Sequence, residues 1–206
     1  MQQSNKTISN IENIILRHGE EGLMRYLEII APSDADIFIS RLYQELGNIV
    51  QNLEETAQHR QNDSEDRITS DIVLLLRQSG YDATHDTDSR GHVDIRVKNN
   101  TFIWLGEAKI HRDYDWLFQG LRQLHTRYST GREDGSGILI YIKGANAKKV
   151  MDEWREKLEA GGECNLKSTN DGSEKLTFWS IHQHEGSGLD IFTKHIGVSL
   201  FYKPQK

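Results

Sequence analysis

Apolar positions along this chain switch between helical and strand spacing, and the switches mark out its elements. Over residues 8–30, Ile11, Ile14, Ile15, Leu23, Leu27 and Ile30 recur at helical intervals until Ala31-Pro32 closes the unit. Ser33 or Asp34 can cap a second helix from Asp36 to about Arg60, whose stripe is Ile37, Leu42, Leu46, Ile49, Val50 and Leu53. The polar HRQNDS, residues 59–64, predicts a boundary, leaving 1–60 as a helical appendage to a domain over 61–206. Ser64 opens a third helix, with Glu65 and Asp66 in its first turn, where the helix dipole favours acids, and Gly80 as its stop. A short extended piece and the polar loop TDSRGH fill 81–92. Two strand-like runs around Asn99-Asn100 then predict a β-hairpin over 91–110. A helix from about Asp115 to Tyr128, a buried strand over 137–144, a helix from Lys148 to Ala160 and strands in LTFWSIH and LDIFTKHIGVSLFY complete the series. This order predicts an α/β fold, a mixed β-sheet flanked by helices.

The hairpin carries charge where a core strand should not. With Asn99 and Asn100 as turn residues, Ile95 is expected opposite Trp104, and His92 opposite Glu107. One face is then Val93, Ile95, Val97, Phe102, Trp104, Gly106, Ala108 and Ile110, all apolar or small. The other gathers Asp94, Glu107 and Lys109 at one end. Asp94 and Glu107 become diagonal neighbours, close enough to hold one cation between them. Hard oxygen ligands of this kind suit Mg²⁺ or Mn²⁺. A solvated hairpin face with an ordinary Glu–Lys pair is the competing reading, but both charges lie beyond an apolar run that should enter the sheet interior.

The net charge of −6 does not advertise a nucleic-acid binder, yet residues 101–150 hold eight Lys/Arg against five Asp/Glu. The basic stretch is the one that follows the hairpin. One cysteine, Cys164, excludes an internal disulfide or a cysteine-based zinc cluster. The absence of a long apolar run or a signal-like start predicts a cytoplasmic protein.

Asp94, twelve intervening residues and then Glu107-Ala108-Lys109 resemble the D…ExK signature of the PD-(D/E)xK phosphodiesterase superfamily, the restriction endonuclease-like proteins. The resemblance covers about residues 64–145; Val93 stands where the name has proline. It implies a restriction endonuclease-like core and metal-assisted hydrolysis of nucleic acid, with DNA the first expectation and RNA left open. Asp94, Glu107 and the Ala108 carbonyl would hold Mg²⁺ or Mn²⁺, and Lys109 would position water and offset charge on phosphorus. Glu65 matches the acid that such proteins often carry on the first core helix, with Asp66 and Asp71 as rivals. Gln123, followed by Tyr128, matches a residue orienting the site from the next helix. Arg112, Arg122, Arg127 and Arg132 would contact phosphates.

His182 and His184, with His195, could be metal ligands, but lacking a third neighbour they are expected to be surface or hydrogen-bonded histidines. GREDGSG, residues 131–137, lacks the P-loop lysine and serine and reads as a turn. Three functions remain: a nuclease, a non-catalytic binding subunit on the same fold, and a dimerisation protein. The acid–acid–lysine trio favours the nuclease, as an effector or subunit of a phage-defence or restriction system. Residues 1–60 would then mediate homo-oligomerisation or docking of a regulatory protein subunit.

Overall fold

A computed structural model describes residues 2–88 and 92–204, with the side chains of 2–14, 18 and 86–88 outside the described set. Part of the TDSRGH loop and the side chains of Ile11 and Ile14 therefore lie outside the described residues. Five α-helices are present among those residues: α1 (Gln2–Ile30), α2 (Ala35–Glu55), α3 (Glu65–Gln78), α4 (Tyr114–Arg122) and α5 (Ala147–Gly161). The strands are β1 (Asp82–Asp88), β2 (His92–Asn99), β3 (Phe102–Ile110), β4 (Gly135–Ile142), β5 (Leu166–Asp171), β6 (Thr177–Gln183) and β7 (Asp190–Ser199). They form one mixed sheet in the order β1-β2-β3-β4-β7-β6-β5. Pairing is parallel at β3–β4 and β4–β7 and antiparallel elsewhere.

Caps start the helices where the polar pattern implies. Asp34 accepts from the Ile37 N–H and Ser64 from the Arg67 N–H. Gly19, at φ +70°, kinks α1. α2 and α3 cover one face of the sheet: Phe38, Leu42, Leu46, Leu53, Ile68, Ile72 and Leu76 join Ile95, Val97, Trp104, Leu139 and Val198 in one core. The α2 stripe thus packs in the sheet's own core, and HRQNDS is a polar turn between two helices of that core. α4 and α5 cover the opposite face, where Leu117, Leu121, Met151, Trp154 and Leu158 meet Leu105, Ile138, Ile140 and Ile142. No helix among the described residues is long and apolar enough to cross a membrane.

The hairpin register corrects the expectation. Asn100 and Thr101 make the turn, Asn100 at φ +51°, and Val97 rather than Ile95 faces Trp104. The slip is two residues, an even number, so Ile95, Val97, Trp104 and Ala108 keep their expected face, whereas Val93, beyond the end of the ladder, packs with Leu105 and Tyr128 on the other. The paired register stops at Ile95–Gly106, one residue short of Asp94 and Glu107. Trp104 is fully buried and lies over the paired glycines Gly106 and Gly137, where an added Cβ would come within 2.5 and 2.6 Å of its ring. Its Nε1–H donates to the Tyr43 hydroxyl (2.9 Å), which donates to the Ser136 carbonyl (2.7 Å).

Two other expectations change. The helix foreseen to Tyr128 is α-helical only to Arg122 and continues as a π-helix over Gln123–Tyr128. β5 had no alternating signal, because it is an exposed edge strand, LKSTND, with no side chain fully buried.

Candidate functional site

β3 supplies the chemistry because its two neighbours part around it. The β2 ladder ends at Ile95–Gly106, while pairing with β4 continues to Ile110. The next two N–H groups on the β2 side of β3 are taken by carboxylates. Ala108 N–H donates to Asp94 Oδ2 (2.8 Å), and Ile110 N–H donates to Glu65 Oε2 (2.7 Å). A strand residue's N–H and C=O point to the same edge, so the Ala108 carbonyl faces this gap too. Backbone satisfaction thus aims two acids, one from β2 and one from the first turn of α3, at a single place.

Glu107 and Lys109 project there from β3. The Lys109 ammonium lies 2.5 Å from Glu107 Oε1, 3.6 Å from Glu65 Oε1 and 3.8 Å from Asp94 Oδ2. Glu107 is 1% exposed and Lys109 6%, so the solvated-face reading fails for this pair: α4 and the π-helical segment cover their end of the hairpin, while Lys98 and Thr101 at the turn end stay exposed. Three carboxylates surround one cation. Burial and the adjacent Asp94 charge push the Glu107 carboxyl up to about 8. Burial also raises Asp94, against the Ala108 N–H and Lys109, which lower it. Burial alone would lower Lys109, but Glu107, Asp94 and Glu65 together hold it above its ordinary value.

The remaining site expectations divide. Among the first-helix acids it is Glu65 that reaches Lys109, whereas Asp71 pairs with Arg60 (2.8 Å) and Asp66 points to solvent. Gln123 is half-buried at the start of the π-helical segment, and among the described residues no hydrogen bond joins it to the acids. Tyr128 closes that segment, its phenol raised by burial and by Glu107 and Asp94. A π-helical turn is frequent at functional sites, and here it carries the element that roofs the cluster. Arg112 is exposed and stacks on Trp116 with 3.6 Å to the ring centroid. Arg122 forms a fork on Glu163, both contacts at 2.9 Å. Arg127 and Arg132 are exposed.

Sequence reasoning missed two residues at the site. A Cβ on Gly120 would sit 3.1 Å from Lys109 and 3.3 Å from Glu107, so glycine lets α4 close over them. Trp116 places its ring 5.2 Å from the Lys109 ammonium. The available signal for Gly120 was a glycine inside an otherwise apolar helical run, which often marks close packing.

Among the described residues, no three His, Cys, Asp or Glu side chains form a ready-made metal cage. The donor set nevertheless fits a hard divalent cation. Glu107 Oε2 is buried without a hydrogen-bond partner, Asp94 lies near enough to share Lys109 with Glu107, and a backbone carbonyl faces the same gap. Comparison with protein-family models, curated proteins and solved structures finds no match.

Proposed function

We propose that the protein is a metal-dependent nuclease of the PD-(D/E)xK type, hydrolysing phosphodiester bonds of nucleic acid, with DNA as the expected substrate. One observation carries the reading: a buried lysine within 4 Å of three carboxylates, one of which keeps an unpartnered buried oxygen. A purely structural ion pair has no use for the surplus negative charge, and burying it is costly. A divalent cation offsets it.

Asp94, Glu107 and the Ala108 carbonyl would hold Mg²⁺ or Mn²⁺, and Glu65 would complete the acidic rim. When bound, the ion supplies Lewis-acid stabilisation of charge on the phosphate. Lys109, kept protonated by its neighbours, is a hydrogen-bond donor and not a base. It orients the attacking water and offsets charge that develops on the phosphoryl oxygens. Gln123 would orient groups at the rim, and Arg127 and Arg132 offer exposed positive charge for the phosphate backbone. Arg122 would have to leave Glu163 to do the same.

The setting, a restriction or phage-defence system, follows from the resemblance of the D…ExK motif. The exposed apolar side chains Leu16, at 82%, and Met24, at 57%, support α1, whose described residues give the sheet's core only Ile29, as a surface for self-association or for a regulatory subunit.

The test is incubation of the protein with plasmid, linear duplex, single-stranded DNA and RNA, each with Mg²⁺, Mn²⁺ or chelator. Cleavage that requires metal and is lost in Glu107→Gln supports the reading. Cleavage by Glu107→Gln at the wild-type rate overturns it, as does no cleavage of any of these substrates.

A further inference from the structure

Trp116 lies in the first turn of α4, held there by Asp113, whose side chain accepts from the Trp116 N–H (2.7 Å). The half-buried indole has two cations on it, Lys109 at 5.2 Å and the Arg112 guanidinium at 3.6 Å from the ring centroid. The shorter distance is that of a plane stacked on a plane. Arg112 is exposed, and among the described residues it has no carboxylate partner. Its outer face is therefore an exposed, flat, cationic surface on the same indole that the lysine of the acidic cluster contacts.

We propose that Arg112 and Trp116 form a stacking platform for an unpaired nucleobase beside the scissile phosphate, so that the substrate is single-stranded or locally unpaired nucleic acid. The inference rests on the nuclease reading of the acidic cluster. Guanidinium planes and aromatic rings take base faces well, and the contact tolerates any base, because every base has a π-face. Within a duplex both faces of a base are already covered by its neighbours, so the platform has nothing to stack on. Stacking also defines the role of Arg112. A phosphate contact needs only its charge, whereas a base contact needs its planar face.

The experiment measures binding in chelator, without cleavage, of fluorescein-labelled oligonucleotides: single-stranded DNA, single-stranded RNA, the matching duplex, and a single strand with abasic positions. Wild type should bind single strands more tightly than duplex, and abasic positions should weaken its binding. Trp116→Ala and Arg112→Lys should each lose about 10- to 100-fold on the intact single strand. They should change little on the abasic strand or the duplex, and Trp116→Phe should keep most of the affinity. Arg112 is exposed, so Arg112→Lys keeps the test sound even where Trp116→Ala perturbs α4. The proposal is overturned if wild type prefers duplex, if abasic positions have no effect, or if Arg112→Lys binds the intact strand like wild type. Failure of the nuclease reading would look different: base-dependent single-strand binding would persist with no metal-dependent cleavage.

Discussion

Two buried polar clusters flank β4, and they are built on opposite principles. On one side stands the acidic cluster of β3. On the other, His195 of β7 lies between Trp154 of α5 and Ser180 of β6. Trp154 Nε1–H donates to His195 Nδ1 (3.0 Å), and an indole can only donate. The imidazole, whose pKa burial depresses well below the ordinary value, is neutral, so its one proton sits on Nε2 and is donated to Ser180 Oγ (2.7 Å). The Ser180 hydroxyl proton is then free to reach His182 Nε2 (2.7 Å), and His182 Nδ1–H points to the Cys164 carbonyl (3.2 Å). Every donor in this chain meets an acceptor, and nothing in it is charged. The acidic cluster holds three carboxylates against one ammonium and leaves Glu107 Oε2 unpartnered. A satisfied neutral network specifies a core, whereas an overcharged, incompletely bonded one stores a requirement for something else. The contrast bears out the expectation of hydrogen-bonded histidines for His182 and His195, while His184 is half-buried and bonds Ser187.

The largest expected difference between the two clusters is in activity. Asp94→Asn, which keeps an oxygen for the Ala108 N–H, and Glu107→Gln should abolish metal-dependent cleavage, to below about 10⁻³ of the wild-type rate, with the fold retained in thermal melting. A variant that loses activity only in proportion to its unfolded fraction would place the acid with the structural histidines. Lys109→Met should slow the single-turnover rate by about 10²–10⁴-fold at saturating Mn²⁺. Calorimetric Mn²⁺ binding should survive in that variant, and a rate within a few fold of wild type would reduce Lys109 to a salt-bridge partner.

On the reverse face of the same strand, Trp104→Ala should cost roughly 3–5 kcal/mol in chemical denaturation, as truncation of a buried aromatic does. The histidine chain should register a smaller loss. Ser180→Ala strands a donor on His195 and an acceptor on His182, at about 1–3 kcal/mol, without altering the Mn²⁺ affinity of the folded protein. Denaturant titration with and without Mn²⁺ checks both variants.

The finest distinction is in pH. His182 is lowered to about 4 by burial, and burial also depresses His195 and His125. Below about pH 6.5 the unfolded chain binds more protons at these residues than the folded one, so their contribution weakens stability as pH falls toward 4. Glu107 acts oppositely. Its folded value of about 8 exceeds that of the unfolded chain, so the folded state holds the extra proton and this residue's contribution weakens as pH rises through the same window. Glu107→Gln should therefore steepen the stability gain from pH 5 to pH 8, and a His182→Asn variant should flatten it. Melting curves across that range would reveal an inverted assignment.

Much of the candidate site was legible because it depends on short-range pattern. Alternation determined which residues of β3, and of β2 from Ile95 on, share a face, and that parity survived a two-residue error in register. Asp94, Glu107 and Lys109 were found for this reason, and Glu65 was one of three acids matched to the first core helix. The helices were legible from their stripes and caps, as at Asp34 and Ser64.

What local pattern lacks is the partner. The turn moved to Asn100-Thr101, where Trp104 beds against Gly106 and Gly137, glycines of two different strands. Glu65 was separated from Asp66 and Asp71 by one backbone N–H, that of Ile110, forty-five residues away. The Glu107–Lys109 end of the hairpin's polar face became an interior because α4, thinned by Gly120, lies across it. His195 found its tautomer through Trp154, forty-one residues earlier. Periodicity reports which way a side chain points from its own element. Burial, proton position and charge excess belong to what the chain lays against it, and only tertiary structure decides that.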